Sequence, residues 1–87
     1  MNQNILFPDL QQWDEQQQAV MFPAQQGGSL IACRVSLQWL VQHCQQPLST
    51  EAEIMAAFGQ YRFDLEEIAE DLIEEEAFNQ DGEIHID

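Results

Sequence analysis

Two β-prone runs, Ala19–Ala24 (AVMFPA) and Leu30–Val35 (LIACRV), flank the connector Gln-Gln-Gly-Gly-Ser, and no other feature of this 87-residue chain limits its fold as strongly. Gly27 and Gly28 can take positive φ without the Cβ penalty other residues meet, so the connector predicts an antiparallel hairpin. Side chains alternate between the two faces of a strand. Val20 and Phe22 therefore share one face of the first strand, and Ile31, Cys33 and Val35 share one face of the second, with Arg34 turned the other way. Such a hairpin has an apolar face that must be covered. Pro23 lacks the N–H a ladder needs, which predicts an edge position or a bulge.

The rest of the chain supplies the cover. Ser36 is a natural N-cap, and Leu37, Leu40, Val41 and Cys44 then recur at i, i+3, i+4, i+7, predicting a short helix that stops before Pro47. Thr50 with Glu53 forms a capping-box pattern ahead of Ile54, Ala57, Phe58 and Tyr61 at helical spacing, with Gly59 weakening the end of that helix. Asp64 with Glu67 reads as a second box opening a third helix. Upstream, Ile5-Leu6-Phe7 is a short strand ended by Pro8, and residues 9–18 are polar and glutamine-rich with Trp13 as their one large apolar side chain. After the turn Asn79-Gln80-Asp81-Gly82, the closing run alternates Ile84 and Ile86 inward against Glu83, His85 and Asp87. The order is β-β-β-α-α-α-β in a single domain, 1–87. It predicts an α+β fold with helices packed on one face of a small antiparallel sheet. Eight aromatics, Phe7, Trp13, Phe22, Trp39, Phe58, Tyr61, Phe63 and Phe78, provide bulk for its core.

Charge narrows the function. Sixteen acids against Arg34 and Arg62, with no lysine, give a net charge of −14. This field repels phosphate and lacks the cations whose counterion release drives nucleic-acid binding, so no direct nucleic-acid partner is expected. It also opposes docking on anionic lipid, and no apolar run approaches the ~20 residues of a membrane span. The N-terminal MNQNILFPDL has no cationic region or cleavage site of a secretory signal, which predicts a leaderless cytoplasmic protein. Cys33 and Cys44 are then expected as two reduced thiols, and no cofactor is expected.

The densest charge lies in DLEEIAEDLIEEEA, residues 64–77, where eight of fourteen side chains are carboxylates. On a helical wheel Leu65, Ile68, Ala69, Leu72 and Ile73 fall within a stripe of about 140°, with Glu66, Glu67, Glu70, Asp71 and Glu74 opposite. The helix is expected to fasten to the core by that stripe and to show an anionic outer face. The face has a cost, because Glu66/Glu70, Glu67/Asp71, Glu70/Glu74 and Asp71/Glu75 are like-charge pairs one turn apart, each unfavourable by roughly 0.2–0.5 kcal/mol. Glu74, Glu75 and Glu76 also stand at the helix C-terminus, where the macrodipole favours cations.

Three readings follow. A non-enzymatic interaction or regulatory module, able to self-associate through an apolar patch or sheet edge, fits an intact core pattern without a catalytic constellation. Its candidate partner-binding residues are Trp39, Arg62, Glu67, Glu70, Glu74, Glu75 and Glu76, with a protein or a second copy as partner. An acidic, DNA-mimic-like protein that binds a basic partner is the second reading. The third is weak metal binding by Glu83, His85 and Asp87, although an exposed terminal strand with one histidine is more often unliganded. Trp39 lies off the apolar stripe of its helix and is either an exposed anchor or a second-layer contact. Arg62 could pair with Glu66 one turn on or brace the helix junction. His43 beside Cys44 is no dyad, since adjacent helical residues diverge by about 100°.

As a set, Phe7, Trp13-Asp14, Val20-x-Phe22-x-Ala24, the Cys33-x-Val35-Ser36 step into a helix with Leu40, then Phe58, Arg62 and Ile68-Ala69 before a closing strand resemble Domain of Unknown Function family 1488. The resemblance spans nearly the whole chain. It implies a compact α+β fold in a small bacterial protein and carries over no catalytic residue, because that family has no established activity. Arg62 is the one shared position outside the packing pattern.

Overall fold

A computed structural model describes residues 4–87; Met1, Asn2 and Gln3, the start of the segment expected to lack a leader, lie outside the described residues. The elements run β1 (Ile5–Leu6), β2 (Gln12–Asp14), β3 (Ala19–Gln26), β4 (Ser29–Ser36), α1 (Leu37–Cys44), α2 (Glu51–Gln60), α3 (Arg62–Glu74) and β5 (Ile84–Ile86). The expected α+β architecture is present, and the predicted hairpin is its centre. β3 and β4 pair along their full length from Ala19↔Ser36 to Gln26↔Ser29, turning at Gly27 (φ 56°) and Gly28 (φ 86°).

Two features of the sheet differ from expectation. The polar segment 9–18 contains the strand β2, which pairs antiparallel with β3 through Trp13↔Val20. Three residues are too short for alternation to show in sequence, and Trp13 alone marks the inward side. In addition, the sheet is mixed and not purely antiparallel, because β5 lies parallel to β4 (Cys33↔Ile84, Val35↔Ile86). A chain that leaves β4, crosses one face through three helices and returns beside the same strand re-enters in the same direction.

β1 and β2 share the outer side of β3, pairing at Gln25–Gln26 and at Ala19–Met21 respectively. Pro23 falls in the gap between them, where a residue without an N–H is tolerated in an interior strand. The hairpin's inner face carries Val20, Phe22, Ala24, Cys33 and Val35, all at 0% exposure. Leu40 of α1, Ile54 and Phe58 of α2, and Leu65, Ala69 and Ile73 of α3 close over it with Ile84 and Ile86 of β5. The helical stripe read from residues 64–77 is thus the buried side of α3, with Ile68 and Leu72 half-buried at its margins. Phe22 joins the layers, its ring centroid 5.4 Å from Phe58 and 6.3 Å from Phe7.

The caps explain the helix starts. Ser36 Oγ accepts from Trp39 N–H at 3.0 Å, so α1 begins directly off β4. The Thr50–Glu53 box is complete: Glu53 N–H donates to Thr50 Oγ1 (3.1 Å), and the Glu53 carboxylate accepts from the N–H groups of Thr50 (3.1 Å) and Ser49 (2.8 Å). Those backbone bonds, Ser49's first, hold the Glu53 carboxyl below its usual range. The box expected at Asp64 is absent, because α3 starts at Arg62 behind Tyr61, which caps without a side-chain bond and leaves Asp64 within the first turn. Phe63 and Phe78, counted as core bulk from sequence, are 86% and 40% exposed. Phe63 belongs to the outer side of α3, two positions before Leu65.

Phe58→Ala should cost about 3–5 kcal/mol, because it removes the ring that meets both Phe22 and the α3 side of the core. Urea unfolding with an unchanged slope is the measurement; a loss below about 1 kcal/mol would show that the aromatic contact does not join the layers.

Candidate functional site

Both arginines are built into the fold. Arg34 points outward from β4, as its alternation predicts, and its Nη1 donates to Asp14 Oδ2 at 3.0 Å while Nε donates to Glu83 Oε1 at 3.1 Å. One guanidinium therefore ties β2 and the entry to β5 across two strands of the sheet. The Glu83 hydrogen bond is the main cause of a pKa raised above the ordinary arginine value, with the charges of Glu83 and Asp14 adding to it. In return the Arg34 bond, then one from His85, holds Glu83 below its ordinary value. His85 Nε2 lies 3.3 Å from Glu83 Oε1 and 3.1 Å from Asn79 Nδ2. Asn79 also accepts from the N–H groups of Asp81 and Glu83 at 2.9 Å each, which makes this segment the turn read from sequence.

Arg62 makes the first of the two contacts considered for it, and its other bonds run to the β1–β2 connection. Its Nε donates to Glu66 Oε2 at 2.8 Å one turn on, and Nη2 donates to the Pro8 carbonyl at 2.6 Å. Nη1 bonds the Gln11 side chain and lies 3.6 Å from Asp9 Oδ1, and the guanidinium sits 5.7 Å above the Phe58 ring. The result is a clamp that fixes the β1–β2 connection against the start of α3. With the side chain only 16% exposed, it serves the fold and not an open binding surface.

Trp39 is buried (7% exposed), which overturns its reading as an exposed anchor. Its ring stacks on His43 at 3.7 Å and meets Tyr61 edge-on at 5.8 Å, and Tyr61 Oη donates to the His43 carbonyl at 2.8 Å. The helix is covered on a second side by the α2–α3 junction, so one apolar stripe understates what α1 buries. Cys33 and Cys44 are free thiols, and burial pushes the Cys33 thiol up to about 12. That is a packing cysteine, since a nucleophile needs an accessible thiolate.

The remaining candidates lie on α3 and its end. Glu67, Glu74, Glu75 and Glu76 are exposed and Glu70 is half-buried. They do not converge with Trp39 and Arg62 on one concave surface, because those two side chains are engaged inside the fold. Their companion is Phe63, one turn before Glu67 and missed as a surface residue. Its signal was present in the wheel, where a position two before Leu65 faces away from the stripe. Glu76 adopts φ 57°, and the N–H groups of Glu76 and Ala77 bond the carbonyls of Ile73 (3.0 Å) and Leu72 (2.9 Å). This is a Schellman cap with glutamate where glycine is favoured.

Among the described residues no group of three or more His, Cys, Asp or Glu side chains could hold a metal ion. Glu83 is engaged by Arg34 and His85 by Asn79, so the metal reading finds no support in the geometry. A shallow hollow of about 400 Å³ lies beside Arg34, lined by Gln12, Trp13, Asp14, Glu15, Gln16 and Met21. Its lining holds a paired arginine and carboxylates but no Ser, Cys or His. Among the described residues no helix is long and apolar enough to cross a membrane.

Fold and site together define a small α+β protein in which both cations have structural duties and the outer charge is almost wholly acidic. The chain belongs to the family described as protein of unknown function (DUF1488), whose model matches residues 5–86. It is 40% identical over 82 residues to an uncharacterized protein, YrdB, of Escherichia coli (strain K12), covering 94% of each chain, and 39% identical to its Shigella flexneri counterpart with the same coverage. A crystal structure of a DUF1488 protein of unknown function from Shewanella loihica PV-4 superposes with a TM-score of 0.94 at 40% identity, covering 99% of this chain and 94% of that one.

Two outcomes test this geometry. Glu83 has a folded pKa below its ordinary 4.5, so its stabilisation is present above that value and is lost as pH falls through the folded pKa. The melting temperature of the natural chain should exceed that of Glu83→Gln at neutral pH, with the gap closing on acidification; a gap that stays constant counts against the Arg34 pairing. Glu76→Gly should stabilise the protein by about 1 kcal/mol, relieving both the left-handed backbone and a carboxylate at the negative helix end. Denaturation midpoints showing no gain would contradict the cap.

Proposed function

We propose that this chain is a non-enzymatic interaction module that docks a cationic partner protein on the outer side of α3. The observation that carries the reading is Phe63, 86% exposed amid the carboxylates of that helix. An aromatic left in water without a neighbour to cover it is unfavourable for an isolated fold, and aromatic side chains are enriched at interface hot spots. Around it, Asp64, Glu67, Glu70, Asp71 and Glu74 present negative charge that neither arginine answers, since both are engaged with other residues. A lysine or arginine over the Phe63 face would gain about 0.5–2 kcal/mol from the ring, and the flanking carboxylates would steer the approach.

The partner's charge would also relieve what the fold leaves unfavourable. The like-charge pairs along α3 and the carboxylates at its C-terminus each lose their penalty when a cation lies among them. The nucleic-acid-mimicking reading is a special case in which the partner's cationic surface is a nucleic-acid groove. The same carboxylates support it, while Phe63 favours a partner that also offers an apolar or guanidinium contact.

A lysine- and arginine-rich peptide probe should bind the full chain with an affinity that falls steeply as salt rises. At constant salt Phe63→Ser should weaken binding by tenfold or more, as measured by calorimetry, with the circular dichroism melt unchanged. Binding indifferent to Phe63 would reduce the interaction to unspecific charge attraction and sink the proposal.

A further inference from the structure

The helices cover one face of the sheet, and the other is exposed toward its edges, with Ala19 and Pro23 buried within it. On that outer face the register places Leu6, Gln25 and Leu30 in one row across β1, β3 and β4. Pro23 and Ala32 form the next row, and Gln12, Met21, Arg34 and His85 the one after. Leu6 and Leu30 are 61% and 70% exposed, so the open face ends in two uncovered leucines separated by a single glutamine.

Charge on this face differs from the rest of the molecule. Among the outward residues within β1 to β5, formal charge is carried by Asp14 and Arg34, and these are paired at 3.0 Å. Glu83, at the entry to β5, is held by the same guanidinium at 3.1 Å. The other acids of a chain at −14 stand on α2, on α3, in the connections and at the C-terminal residue. Two copies therefore repel least when sheet faces sheet and most when α3 faces α3. A two-fold contact sets one patch against itself, so the patch must be self-complementary. A surface with an apolar row, on which Arg34 offsets Asp14 and Glu83 and Glu15 stands at the rim of the hollow, comes nearer to that condition than the acidic helix face.

We propose that the outer sheet face binds a second copy of this chain, giving a two-fold dimer that buries Leu6 and Leu30 and leaves α3 pointing away from the axis. The contact uses a surface separate from the one proposed for a cationic partner, and the two respond oppositely to salt. Screening removes repulsion between like-charged copies and so tightens the dimer, while it weakens capture of a cation.

Sedimentation equilibrium of the full chain, from micromolar to several hundred micromolar, is the test. Dimer is expected, more of it at high ionic strength. Leu30→Glu and Leu6→Glu should each raise the dimer dissociation constant tenfold or more, Leu30→Ser by less, and Phe63→Ser should leave it unchanged. At a concentration where the natural chain is monomeric, melting curves of the leucine variants should match it, because both side chains are then exposed. A monomer throughout at high salt, a dimer insensitive to the leucine variants, or one abolished by Phe63→Ser would overturn the proposal.

Discussion

Everything in this fold is fastened to the inner face of the β3–β4 hairpin. Val20, Phe22, Ala24, Cys33 and Val35 are wholly removed from water, and every helix contributes at least one large side chain to cover them. Burial of this kind is worth roughly 1.5–3 kcal/mol for each large side chain, more than any surface ion pair supplies. The hairpin can serve as a platform because Gly27 and Gly28 close it without strain. Phe22 then gives the platform a centre, touching the β1–β2 connection through Phe7 and α2 through Phe58.

The two arginines complete what apolar packing leaves undone. The short strands β1, β2 and β5 have two or three residues each, too few to hold position by ladder bonds alone. Arg34 ties β2 to the start of β5, and Arg62 ties the β1–β2 connection to α3. With no lysine in the chain and both guanidinium groups occupied, the carboxylates outside these pairs find no arginine partner among the described residues. A protein of this composition therefore keeps its cations for construction and shows a negative exterior. The partner surface proposed on α3 and the copy-to-copy surface proposed on the open sheet face follow from that division.

Much of this was legible in the sequence. The hairpin, the Ser36 cap, the Thr50–Glu53 box, the buried stripe of α3 and the inward Ile84 and Ile86 all rest on local periodicity and capping, which depend on neighbours within a few residues. The acidic outer face of α3 was equally readable from the same wheel. Phe63 and Phe78 were counted toward the core and are exposed, whereas Trp39, read as either an exposed anchor or a second-layer contact, is buried. Trp39 lies off its helix's stripe yet is buried, because the α2–α3 junction supplies a second wall. Phe63 was counted toward the core on its side-chain type, although the wheel turns it away from Leu65.

By itself the sequence determined which residues pair as a hairpin, where the helices are capped, which side of α3 is apolar, and that the exterior would be anionic. Only the tertiary structure decided that β5 runs parallel to β4, that residues 12–14 form a strand, and that Arg34 and Arg62 reach partners on distant segments. The physical reason is range. Dihedral preference, capping and amphipathic period act between neighbours in the chain, whereas strand direction, arginine hydrogen bonds across 20, 49 or 54 positions and the second wall around Trp39 exist only after the layers have closed.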